Sequence, residues 1–94
     1  LNLKNPLSIP DTLFADAIEF NNEGKYSKSA EAGFQACLLI PNSERYIQRV
    51  PEMLAKVERY KDAVQVLNAY ISATGSNEEW VITLREKYQR KAKQ

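Results

Sequence analysis

Tyr26 and Tyr60 stand 34 residues apart, and each opens a Tyr-x-x-(Ser/Ala) segment that runs into a helical pattern. The offset holds well beyond the two tyrosines. Leu13, Ala17, Phe20, Gly24, Tyr26, Ser29, Ala36 and Pro41 map onto Ile47, Pro51, Leu54, Glu58, Tyr60, Ala63, Tyr70 and Gly75. A period of this length signals a repeat of helical hairpins. Such a hairpin cannot bury its apolar face alone and must stack on a neighbour. Function in such a chain is expected on a surface rather than in a catalytic pocket.

The apolar spacing divides the chain into an extended lead-in over 1–10, a first hairpin over 11–42, a second over 43–75 and a capping helix over 76–94. The lead-in, LNLKNPLSIP, carries two prolines and alternates apolar with polar residues, which disfavours helix. Asp11 or Thr12 is the expected cap of a helix running through Leu13, Phe14, Ala17, Ile18 and Phe20, and Gly24 is suited to end it. The second helix runs from Tyr26 to about residue 40. The third, 44–59, carries Pro51 in its interior, where proline removes a backbone donor and costs about 3 kcal/mol. A break near Arg49 and Val50 is therefore expected. The fourth helix spans 61–73. A fifth begins at Ser76 or Asn77, with Glu78 and Glu79 early and Lys87, Arg90, Lys91 and Lys93 late, the charge order that the helix dipole favours. Its apolar stripe is Trp80, Val81, Leu84 and Tyr88, with Trp80 expected to anchor it on the fourth helix near Leu67 or Ile71.

These residues resemble the tetratricopeptide repeat family over two units, 11–75, followed by a helix similar to the family's capping helix. Leu13, Ala17, Phe20, Ser29, Ala36 and Pro41 suit its pattern in the first unit, and Leu54, Ala63 and Leu67 in the second. Asp16, Gly33, Pro51, Tyr70 and Gly75 depart from it. The resemblance implies an all-α fold, a right-handed α-α superhelix of stacked hairpins with about five helices. It also implies a concave face, lined by the first helix of each hairpin, that binds a peptide or a partner helix. By position that face carries Phe14, Ile18 and Asn21 from the first unit and Arg45, Gln48, Arg49 and Glu52 from the second. Arg45 and Arg49 match the basic pair of the carboxylate clamp found in some members, whereas Phe14 and Ile18 stand where its lysine and asparagine belong.

Read from the residues themselves, Arg45 and Arg49 are four apart and can aim two guanidinium forks at one carboxylate. The competing reading is a solvated face paired with Glu44 and Glu52, worth well under about 1 kcal/mol. Phe14 and Ile18 form an apolar pair that must be covered, either by a partner or by Leu1, Leu3, Leu7 and Ile9 of the lead-in.

Chemistry of other kinds finds little support. The 94 residues contain no histidine, one cysteine and three isolated glycines. This leaves no recognisable nucleophile and base, zinc site or phosphate cradle. Cys37 lies in the run Ala36-Cys37-Leu38-Leu39-Ile40 and reads as a buried thiol. A net charge of +1 gives no reason to expect nucleic acid. No apolar run approaches the roughly 20 residues of a membrane-spanning helix. The expectation is thus a non-catalytic interaction module without cofactor or metal, binding a protein or peptide. An oligomerisation scaffold that associates with itself, or a regulatory domain of a larger protein, is the alternative. The sequence does not indicate a compartment.

Overall fold

The computed structural model describes residues 9–94, and among these the fold is all-helical, with helices packed as hairpins and no strand. In chain order the helices are α1 (Ile9–Asn22), α2 (Tyr26–Leu39), α3 (Glu44–Ile47), α4 (Val50–Lys56), α5 (Tyr60–Thr74) and α6 (Glu79–Ala92). Helices α3 and α4 are the two pieces of the expected third helix. None of these helices is long and apolar enough to cross a membrane.

Helix α1 starts earlier than the spacing predicts. Residues 9 and 10 are helical, with Pro10 buried in the first turn, where its missing N–H and fixed φ do no harm. The rest of the expected lead-in, 1–8, lies outside the described residues. The turn from α1 into α2 closes with the Lys25 amide bonded to the Phe20 carbonyl at 2.8 Å and the Gly24 amide to Asn21 at 3.2 Å, with Gly24 at φ +79°. This is a Schellman ending, which reclaims two orphan carbonyls. The same turn recurs 34 residues later. There the Arg59 amide reaches Leu54 at 2.9 Å and the Glu58 amide reaches Ala55 at 3.0 Å, with Glu58 at φ +61°. The sequence offset is thus repeated bond for bond in the backbone.

Small residues set the distance between the layers. Helix α2 buries Ser29, Ala30, Gly33, Ala36 and Cys37. Ser29 donates its hydroxyl to the Ala17 carbonyl at 2.6 Å across the first hairpin. On the other side of α2, Val50 comes so near Gly33 that an added Cβ would lie 3.0 Å from its Cγ2 atom. The third helix breaks as expected: Pro51 opens α4 in its first turn, and Gln48 and Arg49 form the joint. Ser43 caps α3 by accepting the Tyr46 amide at 3.2 Å, as its type predicts.

Helix α4 packs against both α2 and α5, while α1 rests chiefly on α2 and α6 chiefly on α5. The core runs as one cluster through these layers, from Phe14 and Ala17 by way of Ile47, Val50 and Leu54 to Val66, Leu67, Val81 and Tyr88. Gly75 ends α5 at φ +69° with its amide on Ile71 at 2.8 Å. Helix α6 starts at Glu79 rather than at Ser76 or Asn77, because the Ser76 hydroxyl accepts the Glu78 amide at 3.3 Å and holds a local turn there. Its anchors also differ from expectation. Val81 and Tyr88 are buried against α5, with Tyr88 stacked on Tyr60 at 6.0 Å, whereas Trp80 is 37% exposed and its indole N–H bonds Glu78. The helical phase explains this, since Val81 and Tyr88 are seven apart and share a face that Trp80 flanks.

Candidate partner-binding surface

The first helices of the two hairpins, α1 and the α3–α4 pair, meet through a cluster built on Asp11. Tyr46 donates its hydroxyl to the Asp11 carboxylate and lays its ring on Phe14, with centroids 4.7 Å apart. The Arg45 guanidinium lies 5.1 Å above the Phe14 ring and 5.9 Å from that of Tyr46, and its Nη1 atom is 3.4 Å from Asp11 Oδ1. Cation–π attraction and the ion pair act together here. Burial, with the bond to Asp11, pushes the Tyr46 phenol up to about 12.

This arrangement corrects the expectation for Phe14. At 2% exposure it is a core residue and not part of an open groove. The cover expected from a partner or the lead-in is supplied at Phe14 by Tyr46, with Arg45 as its lid. Arg45 is correspondingly occupied. Helix α3 ends at Ile47 and α4 begins at Val50, so the i,i+4 geometry that would aim Arg45 and Arg49 at one acceptor is interrupted. Ile9, expected among the covering residues, is exposed. Leu1, Leu3 and Leu7 lie outside the described residues.

The other residues of the expected face divide in two. Asn21 is half-buried and accepts from the Lys56 ammonium at 3.0 Å, while Lys56 itself lies 4.8 Å over the Tyr26 ring. Asn21 therefore ties α1 to α4. Ile18 is half-buried against the core. Gln48, Arg49 and Glu52 are exposed around the break, and among the described residues neither Arg49 nor Glu52 makes an ion pair. Gln48 touches Glu44 at 3.3 Å. Of the expected face, Gln48, Arg49 and Glu52 remain open to solvent at the break, Ile18 is open only in part, and Arg45, though exposed, is engaged with Asp11.

Two features were not read from the sequence. Arg59 bridges Glu31 at 2.9 Å and Asp62 at 2.8 Å while covering the Phe34 ring at 5.1 Å. Gln35 and Arg59 together hold the Glu31 carboxyl below its ordinary range. The second feature is a repeated aromatic lid. Lys56 over Tyr26 is matched by Lys91 over Tyr60 at 5.8 Å, so in each hairpin the opening tyrosine of the second helix is covered by a lysine from the next layer. Only the Asp11–Arg45 pair had a signal in the sequence, opposite charges 34 residues apart at one position of the repeat.

Comparison with known proteins finds no matching family model, no matching curated protein and no matching solved structure.

Proposed function

We propose that the chain is a non-catalytic protein–protein interaction module of tetratricopeptide type, its hairpins coiling into a right-handed superhelix. Its partner is a peptide or helix lying across the first helices of the hairpins. The observation that carries this reading is the exposed strip at the α3–α4 break, where Gln48, Arg49 and Glu52 project from a backbone held by Ser43, Pro51 and the buried Ile47 and Val50. A rigid support with polar side chains of both signs orients a polar chain without ordering much of itself, which lowers the cost of binding. On α1 the half-buried Ile18 contributes apolar area, and Arg49 offers a fork for a carboxylate on the partner.

Selection from a displayed peptide library tests this. Peptides enriched by the wild-type chain are expected to lose about tenfold or more in affinity to Arg49→Glu and to Ile18→Asp, the loss of about 1.4 kcal/mol that separates a central contact from a peripheral one. Peptides that bind both variants at full strength would place the partner elsewhere, and the proposal would fail.

A further inference from the structure

Helix α6 carries a second apolar stripe that the described residues cover only in part. Val81 and Tyr88 face α5 and are buried. Glu79, Trp80, Thr83, Leu84 and Lys87 line a hollow of about 460 Å³ on the outside of the helix. Glu79, Thr83 and Lys87, at i, i+4 and i+8, form one ridge of the helix, and Trp80 with Leu84 forms the row beside it. Trp80 is 37% exposed although its indole N–H is already bonded to Glu78 at 3.2 Å. The ring is therefore held by its polar edge with part of its apolar area turned to water. Leu84, four residues on, is half-buried and extends the same surface. Helix α4, by contrast, is covered on two sides, by α2 and α5, whereas α6 packs chiefly on α5 alone.

The charge pattern says what can cover the stripe. The ridge begins with an acid, Glu79, ends with a base, Lys87, and has Thr83 midway between them. A helix with this order is complementary to itself when turned end for end. An antiparallel copy centred on Thr83 places Glu79 opposite Lys87 of the second copy, and the two-fold repeats the pair. Trp80 and Leu84 then meet across the axis beside a small threonine that lets the helices approach. A parallel pairing would set Glu79 against Glu79 and Lys87 against Lys87.

The geometry points to homodimerisation of this protein through an antiparallel α6–α6 contact, with the Trp80–Leu84 stripe at its centre and two Glu79–Lys87 pairs at its rim. This interface is isologous and closes on two copies. It is separate from the strip at Gln48, Arg49 and Glu52, so each surface can be tested without the other.

Sedimentation velocity across a dilution series of the full chain, with Trp80 emission followed in parallel, tests the proposal. The expected result is a concentration-dependent dimer with a blue shift of Trp80 on association. Trp80→Ala is expected to raise the dissociation constant by about tenfold or more, as removal of a central aromatic does. Glu79→Lys should weaken the dimer, and the double variant Glu79→Lys with Lys87→Glu should restore it, because the reversed pairs are again opposite in sign. That rescue is one a merely misfolded helix would not give. A monomer at every concentration would overturn the proposal. So would a dimer indifferent to Trp80→Ala and Glu79→Lys, or one that the double variant fails to restore.

Discussion

Replacing Gly33 with alanine places a methyl group in a close contact between α2 and α4. The new Cβ would lie 3.0 Å from Cγ2 and 3.3 Å from Cγ1 of Val50, and 3.4 Å from the sulfur of Met53. Val50 is fully buried and Met53 is 3% exposed, so neither side chain can swing into solvent. Overfilling a packed site of this kind costs about 1–3 kcal/mol. Against it stands the helix preference of alanine over glycine, about 1 kcal/mol in the middle of a helix such as α2. The difference is a net loss of about 1 kcal/mol, and for a chain of this size each kcal/mol moves the melting temperature by about 4–8 °C. Thermal melts followed by circular dichroism resolve that shift. The cause can be separated from a general loss of helix by a cycle with Val50→Ala, which vacates the space the new methyl needs. The double variant should then be more stable than the two single losses added together, by about 0.5 kcal/mol or more. A Gly33→Ala chain that melts higher than wild type, with additive effects in the cycle, would refute the close approach of α2 to α4.

Other variants probe the repeated turn and the Asp11 cluster. Glu58→Gly should stabilise by about 0.5–1 kcal/mol, because Glu58 pays for a left-handed backbone at φ +61° that its counterpart Gly24 adopts freely; Glu58→Ala keeps the strain and should show no such gain in chemical denaturation. Phe14→Ala should cost about 3–5 kcal/mol, as a truncated buried aromatic does, where a surface residue would cost little; an unchanged melt would return Phe14 to the binding face. Alkaline pH should weaken the fold. Burial raises the Cys37 thiol from 9.0 to about 12 and, with the bond to Asp11, the Tyr46 phenol from 10.0 to about 12, while Tyr70 and Tyr88 are also raised, chiefly by burial. Each group is held protonated by the fold, so its contribution is whole below the unfolded value and is lost as pH climbs toward the folded one. Denaturant midpoints should therefore fall between about pH 9 and 12, and a flat profile there would count against this reading.

The periodic parts of the fold were the legible ones. A 34-residue offset, Gly24 after a helical stripe and Pro51 within one are local features, and local backbone chemistry decides what they do. Trp80 and Phe14 were misassigned for a different reason. The spacing placed each on its helix, but their burial depends on which neighbour arrives: Tyr46 and Arg45 close over Phe14, while α5 meets the Val81–Tyr88 face and leaves Trp80 at the edge. The basic pair failed on a finer point. Arg45 and Arg49 have the right separation for a common acceptor only in a continuous helix, and the break at Pro51 acts on that pairing two and three residues upstream, at Arg49 and Gln48. Long side chains that reach between layers, such as Arg59 to Glu31, leave no trace in a helical period at all.

The order in which the layers touch has a consequence for how the molecule opens. Since α1 rests chiefly on α2 and α6 chiefly on α5, while α4 lies between two neighbours, either outer helix can detach without unfastening the middle. The chain should behave as a short nearest-neighbour array, with amide exchange fastest in α1 and α6 and slowest in α2, α4 and α5. Detaching α6 would lift Lys91 from Tyr60 and bare the tyrosine. If two copies meet through α6, that outer helix gains a neighbour, and association would slow exchange at one end of the molecule while leaving α1 at the other as free to fray as before.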